Sequence, residues 1–148
     1  MSLIDSFTGD YFFLSNFYLC TIPYQGITYP STEHAYQAAK HDPKERSKFL
    51  GITAAQSKRI GRELPYNDKW WTTVKVGVMR ELLNIKFDIP ELEKKLLDTE
   101  ADYLVEGNTW KDTFWGVCEG KGQNWLGRLL MEVRDKKIHQ KIFEDLIE

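Results

Sequence analysis

Two stripes of apolar residues at helical spacing constrain the fold of this chain more than any other feature. One stripe lies between Asp68 and Lys86, and the other follows Asn124. Residues three and four positions apart lie on one face of a helix. The members are Trp71, Val74, Val78, Leu82 and Ile85 in the first stripe and Leu126, Leu129, Leu130 and Val133 in the second. They predict a long helix from Asp68, as N-cap, to Lys86 and another that begins near Asn124.

Shorter segments, separated by proline and glycine, precede the first stripe. Residues 11–17 are rich in aromatic side chains and predict a strand that leads into a turn at Ser15-Asn16. Residues 21–29 contain two β-prone runs around Gln25-Gly26, which predicts a β-hairpin, and Pro30 is expected to end it.

Several shorter helices complete the prediction. The first covers residues 33–41 with Ser31 or Thr32 as its cap, and the second covers residues 43–50. The third runs to Gly61 and has Thr53 as its cap. The fourth runs to about Asp98 and opens with a capping-box pattern of Asp88 and Glu91 around Pro90. Residues 104–105 and 114–115 predict short strands or loops. The expected fold is a mostly helical α+β domain with a small N-terminal β-hairpin or sheet, in one domain over residues 1–148.

Composition narrows the class of protein. The chain has 148 residues with a hydrophobic fraction of 42%, enough for one core, and a net charge of −2, which speaks against strong nonspecific binding to nucleic acid. Cys20 and Cys118 lie outside any CxxC pair and fit free thiols in a reducing compartment. Asp5 and Asp10 interrupt any signal-peptide pattern, and no apolar run is long enough to span a membrane. We therefore expect a cytoplasmic protein.

Several familiar chemistries have no motif here. The three histidines, His34, His41 and His139, do not form HExxH or a Cys/His metal pattern, and neither GxSxG nor GxxxxGK[ST] occurs. Residues 120–125 begin like GxGxxG but carry Trp125 at the third glycine position. We expect no metal and no cofactor, so the available groups are carboxylates, lysines, arginines and aromatic rings.

The first candidate site lies at the start of the helix predicted over 33–41. Glu33, Gln37 and Lys40 fall on one side of it at positions i, i+4 and i+7. A rise of 1.5 Å per residue separates Glu33 from Lys40 by roughly 10 Å, which leaves room for a ribose. The alternative is that Glu33 only complements the helix dipole in the first turn.

The second candidate site is the irregular segment 105–116. It places Asp112 beside Phe114 and Trp115, which suggests an acid held against an aromatic wall, or alternatively a solvated turn with a buried Trp.

Three further patterns favour ligand contacts. Residues 120–124, with Lys121, could receive a phosphate at a helix start, or form a turn with an Asn cap. The basic cluster 57–62, with Arg62, could hold phosphates or be a solvated helix end. One of Trp70 and Trp71 is expected in the core, and the other could stack on a base.

The order of these blocks resembles the NADAR family, also called YbiA-like. The resemblance covers nearly the whole chain and rests on six segments: 13–18, 29–40, 54–62, 71–87, 104–116 and 122–134, which include FLSNFY, YPSTEHAYQAAK and AxxxKxxGR. It implies an N-glycosidase of ribosylated or ADP-ribosylated compounds. One branch of the family acts on phosphoribosyl-aminopyrimidine intermediates of riboflavin synthesis, and another removes ADP-ribose from guanine bases.

The resemblance also implies roles for individual residues. Glu33 and Asp112 match the functional carboxylates, Lys40 matches the lysine of the first motif, and Trp71 and Trp115 match the pocket tryptophans. The predicted catalytic residues are Glu33, Asp112 and Lys40, and the predicted substrate-binding residues are Trp71, Trp115, Asn16, Arg62, Glu106, Gly116, Lys121 and Asn124.

The predicted function is hydrolysis of an N-glycosidic bond, foremost the release of ADP-ribose from guanine. The alternatives are hydrolysis of the riboflavin intermediates and a module that binds ADP-ribose or NAD without cleaving it. The expected partner is a ribosylated small molecule or a modified guanine in single-stranded nucleic acid, because a duplex base would have to flip out to be reached. No membrane partner is expected.

Overall fold

The computed structural model describes residues 2–147. The elements in chain order are β1 (Leu3–Ile4), a 3₁₀ helix (Gly9–Leu14), β2 (Leu19–Tyr24), β3 (Ile27–Ser31), α1 (Thr32–Ala39), a second 3₁₀ helix (Pro43–Phe49), α2 (Ala54–Glu63), α3 (Asp68–Lys86), α4 (Pro90–Leu97), β4 (Tyr103–Leu104) and α5 (Trp125–Ile147). This confirms the predicted mostly helical α+β class with an N-terminal hairpin.

The chain divides into two compact units. The hairpin unit comprises residues 16–86, and the terminal unit comprises residues 2–15 together with 87–147. The prediction that residues 1–148 form a single domain stays a prediction.

The hairpin unit packs its helices on an antiparallel pair of strands. β2 and β3 are joined at Gln25-Gly26, where both residues have positive φ (49° and 85°), as a tight hairpin turn requires. The strand β3 continues through Pro30 to Ser31, so the prediction that Pro30 ends the hairpin is wrong. Pro30 needs no ladder donor there, because β3 is an edge strand of a two-stranded sheet.

Helix α3 confirms the long helix predicted from the first apolar stripe, but its buried face differs from the predicted one. Trp71 and Leu82 are buried as predicted, while Val74, Val78 and Ile85 are half-buried. Met79, Leu83 and Lys86 complete the buried face instead. The helix is also capped one residue earlier than predicted, since Asn67 Oδ1, and not Asp68, accepts a hydrogen bond from Trp70 N at 3.0 Å.

The terminal unit holds the second stripe and a parallel strand pair. Leu126, Leu129, Leu130 and Val133 of α5 are all buried, as predicted. β1 pairs with β4 in parallel, with Leu3 opposite Tyr103 and Ile4 opposite Leu104. The sequence reasoning missed β1, because a two-residue strand carries no period that a pattern can reveal.

Two other predictions of local structure are wrong, while the helix predicted over residues 43–50 is found as a 3₁₀ helix over Pro43–Phe49. Residues 11–17 do not form a strand, since Gly9–Leu14 is a 3₁₀ helix whose Phe13 and Leu14 are buried. Asp88 does not cap α4, because its carboxylate accepts a hydrogen bond from Lys137 Nζ at 2.9 Å, and the N-cap is Ile89.

Candidate active site

Helix α1 enters the hairpin unit with all eight of its residues buried. Ser31 caps it by accepting a hydrogen bond from His34 N at 3.2 Å, which confirms one of the two predicted caps. Ala35 and Ala38 are fully buried, so their small side chains allow neighbouring elements to approach closely. A helix that is buried on every side carries its polar residues into the interior with it.

Two polar side chains of α1 and that of its C-cap residue, Lys40, form a connected row. Lys40 Nζ donates to Gln37 Oε1 at 3.1 Å, and Gln37 Nε2 donates to Glu33 Oε2 at 3.4 Å. Glu33, Gln37 and Lys40 are 7%, 5% and 8% exposed. The structure therefore brings together the three residues that the helical spacing placed on one side. Their catalytic role stays a prediction.

A glycine on the neighbouring helix makes room for this row. A Cβ at Gly61 of α2 would lie 2.0 Å from Gln37 Oε1 and 2.8 Å from Gln37 Cδ. Any larger residue at this position would displace the carboxamide that joins the carboxylate to the lysine. The AxxxKxxGR segment thus contributes to the site through its glycine, while Arg62 beside it is exposed.

The surroundings of Lys40 shift the pKa of its side chain. Burial lowers the pKa of the Lys40 ammonium, the nearby charge of Glu33 opposes this shift, and the positive charges of Arg62 and Lys75 add to it. The ammonium also lies 4.4 Å from the centroid of the Tyr66 ring, a cation–π distance.

Asn16 lies beside Glu33 in the same unit. Its main-chain carbonyl accepts a hydrogen bond from Glu33 N at 3.0 Å, and its Nδ2 contacts Met79 Sδ at 3.6 Å. Within residues 2–147, the buried Asn16 Oδ1 has no hydrogen-bond partner. A buried acceptor in this condition costs free energy unless a ligand or water satisfies it, which fits the predicted substrate-binding role.

Of the two adjacent tryptophans of α3, one is buried and the other is exposed, as expected. Trp71 is 4% exposed, and its ring centroid lies 5.0 Å from that of Tyr36 on α1. Trp70 is 45% exposed. The resemblance assigns the pocket wall to Trp71, which the structure places against α1, while Trp70 is the ring that presents a face to solvent.

In the terminal unit, Asp112 holds its own loop together. Asp112 Oδ1 accepts hydrogen bonds from Phe114 N at 3.1 Å and Trp115 N at 2.8 Å. Asn108 brackets the same turn, because its carboxamide contacts both the N–H and the carbonyl of Asp112 at 3.1 and 2.9 Å. Asp112 Oδ2 takes part in none of these bonds. The rings of Phe114 and Trp115 meet edge to face with centroids 4.9 Å apart. That the Asp112 carboxylate packs against an aromatic wall stays a prediction.

Three other residues that were predicted to bind substrate also lie in the terminal unit, and the structure gives their contacts and exposure. Asn124 is buried, accepts a hydrogen bond from Glu106 N at 3.0 Å and donates to Leu104 O at 2.9 Å, so its side chain clamps the segment after β4 and does not cap α5. A Cβ at Gly116 would lie 2.2 Å from Glu106 O. The turn residue Lys121 is exposed, and its backbone pairs with that of Cys118.

One buried lysine was not singled out by the sequence reasoning. Lys86, at the end of α3, is fully buried, and burial lowers its pKa to about 8. Its ammonium lies 5.7 Å from the centroid of the Tyr18 ring. The available signal was its position, one turn after Leu82 on the apolar side of the helix.

Two of the three histidines make contacts within the hairpin unit. His34 Nε2 lies 2.7 Å from Ile52 O, and its Nδ1 lies 2.6 Å from Ser31 Oγ. The His41 ring stacks on Phe49 with centroids 5.5 Å apart. Across residues 2–147, no three His, Cys, Asp or Glu side chains form a group that could hold a metal ion. The prediction that the site needs no metal stays a prediction.

Fold and site together define a small α+β protein whose candidate chemistry rests on carboxylates and buried lysines. The NADAR domain family matches residues 5–137, and the chain belongs to this family. The resemblance seen in the sequence is thereby confirmed.

Relatives and one solved structure are similar over most of the chain. N-glycosidase YbiA of Escherichia coli is 39% identical over 142 residues, covering 92% of this chain and 88% of that protein. The NMR structure of the E. coli protein YbiA matches with a TM-score of 0.83 and 37% identity, covering 95% of this chain and 88% of that chain. These matches confirm the prediction that the chain belongs to a family of N-glycosidases.

Two longer relatives carry another name. A riboflavin biosynthesis protein of Vibrio vulnificus is 40% identical over 132 residues, and a chloroplastic riboflavin biosynthesis protein of Zea mays is 39% identical over 127 residues. This chain spans 35% of the first and 20% of the second.

Among residues 2–147, no helix is long and apolar enough to cross a membrane.

Proposed function

We propose that this protein hydrolyses the N-glycosidic bond of a ribosylated substrate, foremost ADP-ribosylated guanine. The observation that carries the proposal is the buried row of α1, in which a carboxylate and a lysine are joined through one carboxamide. A buried carboxylate beside a lysine of lowered pKa gives paired charge and proton-transfer groups at one place, which is typical of catalytic sites.

The row suits the electronic demand of the reaction. Breaking a C1′–N bond builds positive, oxocarbenium-like charge on the ribose, and the departing amine needs a proton. In the proposed mechanism, Glu33 stabilises the ribosyl cation or activates the attacking water. Gln37 fixes the Glu33 carboxylate by donating to its Oε2. Lys40 donates a proton or acts as an amine nucleophile at C1′.

We assign Asp112 to the ribose hydroxyls or to a share of the acid–base work. Its Oδ1 is engaged with two N–H groups of its own turn, so Oδ2 is the oxygen offered to substrate. Asn16 contributes an acceptor through Oδ1, and Trp71 and Trp115 exclude water. Arg62, Glu106, Gly116, Lys121 and Asn124 complete the proposed binding set, and the last three support the loop as much as the ligand.

Two observations bear on the choice of substrate. Lys40 borders a cleft that also carries Lys44, Lys48 and Trp70, which suits a substituent longer than one phosphate and favours ADP-ribosyl guanine. The names of the Vibrio and maize relatives favour the second candidate, a phosphoribosyl-aminopyrimidine intermediate of riboflavin synthesis. We also propose a cytoplasmic location, supported by the free thiols Cys20 and Cys118.

A side-by-side assay decides between these candidates. The protein is incubated with a single-stranded oligonucleotide that carries ADP-ribosylated guanine and, separately, with the phosphoribosyl-aminopyrimidine, and the products are identified by mass. Release of ADP-ribose with restored guanine is the expected result. Cleavage of the pyrimidine substrate alone would replace the first candidate by the second. Binding of ADP-ribose without cleavage of either substrate would leave a binding module.

A further inference from the structure

A cleft in the hairpin unit lies next to the Glu33–Gln37–Lys40 row. It has a volume of about 770 Å³ and is lined by residues 40–46, 48, 64–67 and 70. Sites of about 300–1,000 Å³ hold drug-sized ligands, so this one is much larger than a single phosphate needs. Lys40 belongs both to the row and to the wall of the cleft.

The charge of the cleft is opposite to that of the whole chain. Its lining carries Lys40, Lys44, Arg46 and Lys48 against Asp42 and Glu45, a balance of four positive and two negative groups, while the chain has a net charge of −2. Glu45 is paired with Lys48 in an ion pair. Lys44 is exposed at the start of the 3₁₀ helix. Local positive charge on an otherwise acidic protein favours an anionic ligand at this place.

Two aromatic rings supply a second kind of contact. Tyr66 is 37% exposed and Trp70 is 45% exposed, and both line the cleft. The Tyr66 ring lies 4.4 Å from Lys40 Nζ, so a positive charge and an aromatic face adjoin. Bases stack on such faces.

We propose that this cleft binds the adenosine diphosphate part of an ADP-ribosyl substrate. The ligand's diphosphate lies between Lys40 and Lys44, and its adenine stacks on Trp70. Glu33 and Lys40 are seven positions apart, roughly 10 Å along the axis, so the 5′ substituent of a ribose placed near Glu33 can reach the lysine end. This inference rests on the proposed function, and it names the feature that distinguishes an ADP-ribosyl substrate from one ending in a single phosphate.

Binding measurements test the cleft without requiring turnover. Titration calorimetry with ADP-ribose compares the wild-type protein with Trp70→Ala, Trp70→Phe and Lys44→Ala. We expect Trp70→Ala and Lys44→Ala each to raise the Kd about tenfold, and Trp70→Phe to stay within about threefold because a ring remains. Matched controls are Phe143→Ala and Lys141→Ala on the exposed end of α5, which should leave the Kd unchanged.

Ribose 5-phosphate is the probe for the remainder of the site. Its Kd should not change in Trp70→Ala, because this ligand lacks the adenosine. Equal ADP-ribose affinity in wild type, Trp70→Ala and Lys44→Ala would overturn the cleft assignment, whether or not the enzyme cleaves its substrate. Weakened ADP-ribose binding in these variants, together with no cleavage of any ribosyl substrate, would support the cleft and overturn the proposed function.

Trp70 also touches the core, since its ring centroid lies 5.8 Å from that of Trp71. If Trp70→Ala fails to fold, Lys44→Ala carries the test, because its side chain is exposed and its removal leaves the core intact. An unchanged Kd in a folded Lys44→Ala protein then refutes the assignment.

Discussion

Helix α1 and the loop 105–124 both carry a carboxylate predicted to act in catalysis, and they use their polar side chains differently. In α1 and at its C-cap, polar side chains bond to one another, from Lys40 to Gln37 and from Gln37 to Glu33. In the loop, Asp112, Asn108 and Asn124 bond to the backbone. A helix satisfies its own N–H and carbonyl groups, so its side chains are available for chemistry. A loop has no such ladder, and its side chains replace it.

Substitutions in these two regions should affect different properties of the protein. Changes in α1 should reduce turnover and leave stability nearly intact, whereas changes in the loop should reduce stability first. The following variants test this contrast, in order of the size of the expected effect.

Glu33→Gln should lower kcat by about 10³-fold, because an amide cannot carry the charge or accept the proton that the proposed step needs. The free energy of unfolding should change by less than about 1 kcal/mol, since the amide can still accept from Gln37 Nε2. Steady-state kinetics and urea unfolding measure both quantities. Glu63→Gln, on the exposed end of α2, is the control. A wild-type rate in Glu33→Gln would remove Glu33 from the mechanism.

Asn124→Ala should lower the free energy of unfolding by about 3 kcal/mol, because Glu106 N and Leu104 O both lose their partner in a part-buried setting. The backbone adds to this cost, since Asn124 has φ of +53°. Asn124→Gly relieves the backbone strain and isolates the loss of the side chain. Chemical unfolding gives both values. Equal stability of all three proteins would show that the loop does not depend on this clamp.

Asp112 is tested by a pair of variants. Asp112→Asn keeps an oxygen for Phe114 N and Trp115 N, so stability should hold while kcat/KM falls about 100-fold through loss of the charge. Asp112→Ala should lose about 2 kcal/mol of stability in addition. If Asp112→Asn is fully active, the carboxylate serves only the turn, and the loop contributes no acid–base group.

Lys86 is a buried lysine that was not among the predicted site residues, and it should make stability depend on pH. Its pKa is about 8 in the folded protein, below the value of 10.5 for a free lysine, so folding disfavours the ammonium. The unfolded chain therefore binds more protons between pH 8 and pH 10, and the stability contributed by this residue rises with pH over that window. The stability of wild type relative to Lys86→Met should increase by about 2 kcal/mol from pH 8 to pH 10. A difference that does not vary with pH would place the pKa elsewhere.

Gly61→Ala should have the smallest effect. The added Cβ would meet Gln37 Oε1 at 2.0 Å, and the carboxamide would have to turn away from Glu33 and Lys40. We expect kcat to fall about tenfold, with a stability loss of about 1 kcal/mol. Gly77→Ala is the matched control, because open space surrounds Gly77 on α3 and alanine favours the helix. Equal activity of both variants would show that the carboxamide link is dispensable.

Periodic segments were predictable from the sequence, and irregular ones were not. The hairpin around Gln25-Gly26 and the helices α2, α3 and α5 follow from turn residues, caps and apolar spacing. The strand β1 and the first 3₁₀ helix are too short for a period to show. The prediction for Asp88 failed for a different reason. Its carboxylate bonds to Lys137, which is distant in the sequence, and a local capping pattern contains no information about such a partner.

The sequence by itself determined the row on α1, the family and the class of fold, since helical spacing is a local property of the chain and several ordered motifs share one origin. Only the tertiary structure decided which polar side chains are occupied. Packing against Gly61 sets the position of Gln37, and the clamp of Asn124 on β4 joins residues twenty positions apart in sequence. Burial and long-range hydrogen bonds arise from the folded arrangement, and they determine which predicted residues have atoms left for a substrate.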